Sequence, residues 1–348
     1  VHHRLPNLNS YAVIDPGVGE DRVRLLSILK SILGDPAVET AFLEPKFVPA
    51  ALGFDAFTGK WDNTQYLADI AQITPDPNKI ETPDFSGAQG YLGAPPEGVN
   101  ALAADGITGA RGSDMLVIDV EGAWLWDHED LPAPVFTFSV PYPDLDWRNH
   151  GTAVLGEIRG SDNGLGVRGI TPDAEVGGSS AYVESVAECI DAASTAADVG
   201  DIIVIELHAP GPNSDGNGQF GYVPMEYWQD NFDAMQLAAA NGRLVCEAAG
   251  NGYQDLDDAV YGSMFDRTFR DSGALMCGAA NESGAVYSYS NYGSRVDLNG
   301  WGGNVTTCAY GDLQGDPEPE IQWYTSAFNG TSSATPIVTG AVVAVQGM

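Results

Sequence analysis

Asn329-Gly330-Thr331-Ser332-Ser333-Ala334-Thr335-Pro336 places one serine between a small-residue turn and an apolar run near the end of a 348-residue chain. Residues 336–345 predict a helix with proline in its first turn. Ser332 then stands at a helix N-terminus, beside a glycine that admits close backbone approach. That placement suits a nucleophile and equally an ordinary helix cap. What decides between them is whether a base, and an acid to orient it, occur elsewhere in the chain.

Upstream of that stretch, short apolar runs at 115–120, 202–207, 244–248 and 274–279 alternate with helical periodicity at 183–197 and 227–240. Alternation of this kind predicts a parallel sheet covered on both faces, and ligands on such sheets meet the carboxyl ends of the strands. Asp119 follows Met115-Leu116-Val117-Ile118, so its carboxylate emerges at a strand end. His150, in Asn149-His150-Gly151-Thr152, opens a helix of small residues. Of the five histidines, His2 and His3 lie at the chain start, and His128 and His208 lack a Gly-Thr helix entry, which leaves His150 as the best-placed base. Asn251 ends the run Leu244-Val245-Cys246-Glu247-Ala248-Ala249-Gly250 in a Gly-Asn-Gly turn, where a side-chain amide can serve a turn or hydrogen-bond an oxyanion.

The order Asp119, His150, Asn251, Ser332 is far more specific than any member of it. Val-Ile-Asp, His-Gly-Thr, Ala-Ala-Gly-Asn and Gly-Thr-Ser-Ser-Ala-Thr-Pro together resemble the four signature blocks of the subtilisin-like serine peptidases, over residues 85–348. The resemblance implies an α/β three-layer sandwich around a mostly parallel sheet. It implies Ser332 as nucleophile, His150 as general base and then acid, Asp119 as the group that fixes the imidazole tautomer, and Asn251 with the Ser332 N–H as the oxyanion hole. No cofactor is required for that chemistry. Protein or peptide substrates, a monomeric state and secretion are expected.

The same resemblance organises the N-terminal third. Residues 11–14, 22–33 and 38–43 predict a β-α-β module within residues 1–50, similar to the second half of the family's propeptide, an intramolecular inhibitor that leaves its tail in the cleft. A plain accessory module is the alternative. Residues 51–95, with Thr-Pro-Asp-Pro-Asn and Gly-Ala-Pro-Pro, read as a linker holding a processing site, with a helical patch at 66–73. Residues 96–348 form the catalytic domain, which in the family continues past the position of Met348. A rival to the enzyme reading is a non-catalytic or permanently inhibited peptide-binding protein on the same fold.

Two departures from the family pattern stand out. Val120-Glu121 follows Asp119 where the family has a hydroxyl residue and glycine; Glu121 is either a solvated loop charge or a second acid near His150. The cleft strand, usually Ser-Leu-Gly-Gly, reads Glu206-Leu207-His208-Ala209 here. The resemblance assigns Leu207, His208, Ala209, Ala248, Ala249 and Gly250 to substrate binding, with the first pocket altered by His208 and Glu206. It also places a structural calcium at Asp130 and Asn163, for which an Asx-rich turn is the alternative.

Composition limits the partners. Forty-eight acidic residues against 15 basic give a net charge of −33, and no lysine occurs after Lys79. A surface of that sign disfavours nucleic acid and anionic membranes, and no apolar run is long enough to span a bilayer. Four cysteines, Cys189, Cys246, Cys277 and Cys308, allow two disulfides or buried thiols.

Overall fold

A computed structural model describes residues 28–30, 32–33, 38, 41, 47–50 and 81–348. Residues 28–30 and 32–33 are helical, within the helix expected over 22–33, whereas Val38 and Ala41 lie in no regular element. The expected strand at 11–14 and the helical patch at 66–73 lie outside the described residues.

The strands are β1 (Val48–Pro49), β2 (Leu116–Glu121), β3 (Phe136–Phe138), β4 (Glu175–Ser180), β5 (Ile202–Ile205), β6 (Leu207–Pro210), β7 (Tyr222–Pro224), β8 (Leu244–Ala248), β9 (Leu275–Ala280), β10 (Leu298–Trp301), β11 (Val305–Cys308) and β12 (Tyr324–Phe328). The α-helices are α1 (Ala101–Ala104), α2 (Leu145–Arg159), α3 (Val186–Ala196), α4 (Gln229–Ala240) and α5 (Thr331–Gly347). Seven strands form one sheet in the order β10-β9-β8-β5-β2-β4-β3, and every neighbouring pair in it is parallel.

Strand alternation divides the core into two layers. Ile118, Val120, Ile203, Ile205 and Val245 pack against Val186, Ile190 and Ala193 of α3 and Ala234 and Met235 of α4. Val117, Ile202, Val204 and Cys246 face the other way, onto Ala153, Val154 and Ile158 of α2 and Ile337, Val338 and Val343 of α5. The outcome is the expected three-layer α/β sandwich. Because side chains repeat every second residue along a strand, Asp119, Glu121 and Glu206 all project into the α2/α5 layer.

From β2 the chain first builds β3 and β4 on one side and then β5, β8, β9 and β10 on the other, so the topological switch lies between β2 and β5. Crevices at such points receive ligands. The helix expected from Pro336 begins five residues earlier, at Thr331, with Pro336 inside it. All four cysteines are buried free thiols.

Candidate active site

α2 is started by Asp144, whose carboxylate accepts from the backbone N–H groups of Asp146 (2.8 Å) and Trp147 (3.3 Å). Such a cap satisfies donors that would otherwise be orphaned at the helix start. His150 follows in the second turn, 1% exposed, with its ring edge-on to Phe328 at 5.5 Å between centroids. Its Nδ1 lies 2.7 Å from Glu121 Oε2. The carboxylate that meets the imidazole is therefore Glu121 and not Asp119.

Asp119 is held elsewhere: the Trp124 indole N–H donates to its Oδ2 at 2.8 Å. The cause is strand length. β2 runs through Glu121 rather than stopping at Val120, so Asp119 lies two residues, about 6.6 Å, below the strand end where the site opens. Glu121 is fully buried, which rules out a solvated loop charge. Burial pushes the carboxyls of Asp119 and Glu121 well up, and at Asp119 the neighbouring Glu121 charge acts in the same direction. Burial lowers His150 to about 3, so the imidazole is neutral in this enclosed state and able to accept a proton.

Ser332 is the second residue of α5, fully buried, preceded by Gly330 at φ 95°. A left-handed backbone at that turn favours glycine. Among the described residues, neither Ser332 Oγ nor His150 Nε2 makes a hydrogen bond of ordinary geometry. The Glu206 carboxyl is close enough to the Ser332 hydroxyl to be influenced by it, although burial, followed by the charges of Asp119, Glu121 and Glu157, pushes Glu206 well up overall.

The Asn251 amide is fixed at both ends. Its Oδ1 accepts from the Thr331 N–H (2.9 Å) and hydroxyl (3.0 Å), and the Gly250 N–H donates to that hydroxyl at 3.2 Å. Its Nδ2 is thereby aimed into the crevice, where it donates to the Ala50 carbonyl and to Gln219 Oε1 (3.2 Å). The Ser332 N–H donates to the same Ala50 carbonyl at 3.2 Å. Thr331, adjacent to the nucleophile candidate in sequence, carries no signal that sets it apart from a helix cap, and its grip on Asn251 emerges only in three dimensions.

Residues 47–50 occupy the crevice as an added strand. β1 pairs antiparallel with β6, Val48 opposite His208 and Pro49 opposite Leu207, and the Ala50 N–H donates to the Glu206 carbonyl at 3.1 Å. Phe47 lies edge-on to Trp147, 6.1 Å between ring centroids. Leu207 and His208 line one wall of the crevice through this pairing, and Gly250, whose Cα side approaches His208, marks the other; Leu207, His208, Ala209, Ala248, Ala249 and Gly250 are all buried.

Asp130 and Asn163 also come together, but around N–H donors. Asp130 Oδ1 accepts from Asn163 Nδ2 (3.1 Å), its Oδ2 from the Val167 N–H (2.7 Å), and Asn163 Oδ1 from the Leu165 N–H (3.0 Å). Oxygens turned towards N–H groups do not fit a calcium cage. No group of three or more His, Cys, Asp or Glu able to hold a metal occurs among the described residues. Asp130, raised to about 7 mainly by burial, instead ties down the loop over residues 161–167.

The profile of the subtilase family matches residues 136–347. The chain belongs to this family, the subtilisin-like serine peptidases. The matched segment contains His150, Asn251 and Ser332 and begins after Glu121, the place where the acid departs from the usual pattern. Subtilisin E of Bacillus subtilis (strain 168) is 26% identical over 284 residues, 79% of this chain and 67% of that protein. Halolysin of Haloferax mediterranei is 31% identical over 267 residues, 70% of this chain and 44% of its own length. In fold, the chain is similar to a protease of Pseudoalteromonas arctica (TM-score 0.53, 21% identity, 73% of this chain and 83% of that one). It is likewise similar to the nisin leader peptidase NisP from Lactococcus lactis (TM-score 0.54, 19% identity, 76% and 85%). Among the described residues no helix is long and apolar enough to cross a membrane.

Proposed function

We propose that this subtilase is a secreted, monomeric serine endopeptidase made as a proenzyme, with Ser332, His150 and Glu121 as its triad and Asn251 with the Ser332 N–H as its oxyanion hole. The observation that carries this reading is the Ala50 carbonyl, which accepts from both oxyanion donors while its own chain pairs with β6. A peptide held in that way presents its carbonyl carbon to the residue that bears the nucleophilic hydroxyl.

In the first step Ser332 Oγ attacks the carbonyl carbon and His150 Nε2 takes the hydroxyl proton. Glu121, on the opposite ring nitrogen, keeps the proton at Nδ1 and stabilises the imidazolium as it forms. Negative charge develops on the carbonyl oxygen, where each preorganised donor contributes about 3 kcal/mol. Collapse breaks the C–N bond, and His150 returns the proton to the leaving amine. Water, activated by the same imidazole, then hydrolyses the ester on Ser332.

Residues 1–50 act in this reading as an inhibitory prosegment, and the bond presented to Ser332 is Ala50–Ala51. The segment also accounts for the depth at which His150 and Ser332 are buried. Its departure admits water to the imidazole and brings the His150 pKa back towards 6.5. Treatment of the full chain with a fluorophosphonate during casein hydrolysis tests the assignment. The expected result is one adduct, on Ser332, with parallel loss of hydrolysis. Failure to label after residues 1–50 have been removed would favour a permanently inhibited peptide-binding protein.

A further inference from the structure

β1 and β6 pair antiparallel with Val48 opposite His208, and residues opposite one another or two apart in such a pair share a face, so the side chain of Ala50, which precedes the bond presented to Ser332, lies on the same face as the His208 imidazole. His208 is fully buried on β6, directly opposite Val48 of the bound segment. A Cβ on Gly250, across the gap, would meet Asn291 Nδ2 at 3.0 Å, His208 Nδ1 at 3.2 Å and His208 Cβ at 3.3 Å. The two walls are therefore joined by the His208 side chain.

The ring is fixed there. The Asn251 N–H donates to its Nδ1 at 3.2 Å, Tyr222 packs edge-on with 4.9 Å between ring centroids, and the ring reaches the Pro49 backbone. Burial and the neighbouring His150 lower its pKa to about 3, so it is a neutral filler and no charge is offered to a basic substrate residue. The residue that the chain itself presents at this point is alanine. With Ala50 in place, Ala50 and both walls are completely buried, so a methyl group suffices to close the site.

Resting on the peptidase reading above, we infer that His208 plugs the first specificity pocket and makes the enzyme selective for peptides with alanine or glycine immediately before the cleaved bond. The preceding positions follow the bound segment: proline, then valine, then an aromatic residue against Trp147. A pocket filled by a ring anchored on Asn251 rejects bulk by steric exclusion, a form of discrimination that readily exceeds what a single missing methylene provides in an open pocket. His208 is a specificity-determining residue because it stands where a larger side chain would go.

The test uses the full chain, incubated until residues 1–50 are released, and anilide peptides Phe-Val-Pro-X with X = Gly, Ala, Val, Leu or Phe. The expected kcat/KM falls with the volume of X, with Ala favoured over Phe on the order of 10²-fold. In His208→Gly the Ala-to-Phe ratio falls to within about tenfold. The wild-type series stands by itself should that variant fold poorly. Equal cleavage of the Ala and Phe peptides by the wild type overturns the plug and leaves the peptidase reading intact. Cleavage of none of the five peptides overturns both.

Discussion

A histidine that receives a proton on one nitrogen needs the other held, and only one carboxylate among the described residues bonds His150. Glu121→Gln should lower kcat by about 10⁴-fold with little change in KM, because an amide at that position allows the wrong tautomer. Asp119→Asn, which keeps an acceptor for the Trp124 indole, should cost less than about tenfold. Steady-state kinetics on the two variants check this, and a larger loss in Asp119→Asn would reverse the assignment. Glu206 supplies a pH test. Burial holds its folded pKa well above the 4.5 of an ordinary glutamate, so folding favours the protonated form. The stability it contributes is complete below about 4.5 and is lost as pH rises through the folded value. Glu206→Gln, an isostere of the protonated acid, should melt with the wild type at pH 4 and above it at pH 8, by the equivalent of about 1–3 kcal/mol. An equal shift at both pH values would contradict the sign.

At the level of elements, the site consists of two helix starts, α2 and α5, brought to the carboxyl ends of β2 and β5, with β6 as a docking edge. β1 uses that edge by strand addition, so main-chain pairing supplies affinity and side chains supply selectivity. Phe47, only partly buried beside Trp147, adds about 1 kcal/mol of apolar burial. Phe47→Ala should weaken inhibition of the processed enzyme by residues 1–50 about fivefold, measured as activity directly after processing; unchanged inhibition would place the affinity elsewhere. Much of this arrangement was legible beforehand. The sheet and its helices followed from alternating apolar runs, and His150, Asn251 and Ser332 from their sequence contexts. Which of two acids two residues apart reaches His150 was not, since both lie on one face of β2 and only the strand's true end separates them. Nor was the start of α5 legible: proline normally marks a first turn, but here the helix begins five residues before it. The hold of Thr331 on Asn251 joins residues 80 apart in the chain, which periodicity does not report.

The whole molecule is a strongly acidic chain that buries Asp119, Glu121, Glu157 and Glu206 within or beside its α2/α5 layer and closes its crevice with its own residues 47–50. Such a cluster cannot be fully ionised in a low-dielectric interior, so the enclosed site holds protonated carboxyls, and in the proposed proenzyme release of the segment is what exposes it. The resemblance in sequence implies an inhibitory module over residues 1–50 and a processing site within residues 51–95, and in the proposed proenzyme the cut falls at the boundary of the two, the Ala50–Ala51 bond. The most direct measurement is intact-mass and N-terminal analysis of the full chain during incubation, alongside Ser332→Ala. The wild type should accumulate a product beginning at Ala51, and Ser332→Ala should remain uncut. An uncut wild-type chain with full peptidase activity, or cleavage elsewhere with the Ala50–Ala51 bond intact, would contradict the account.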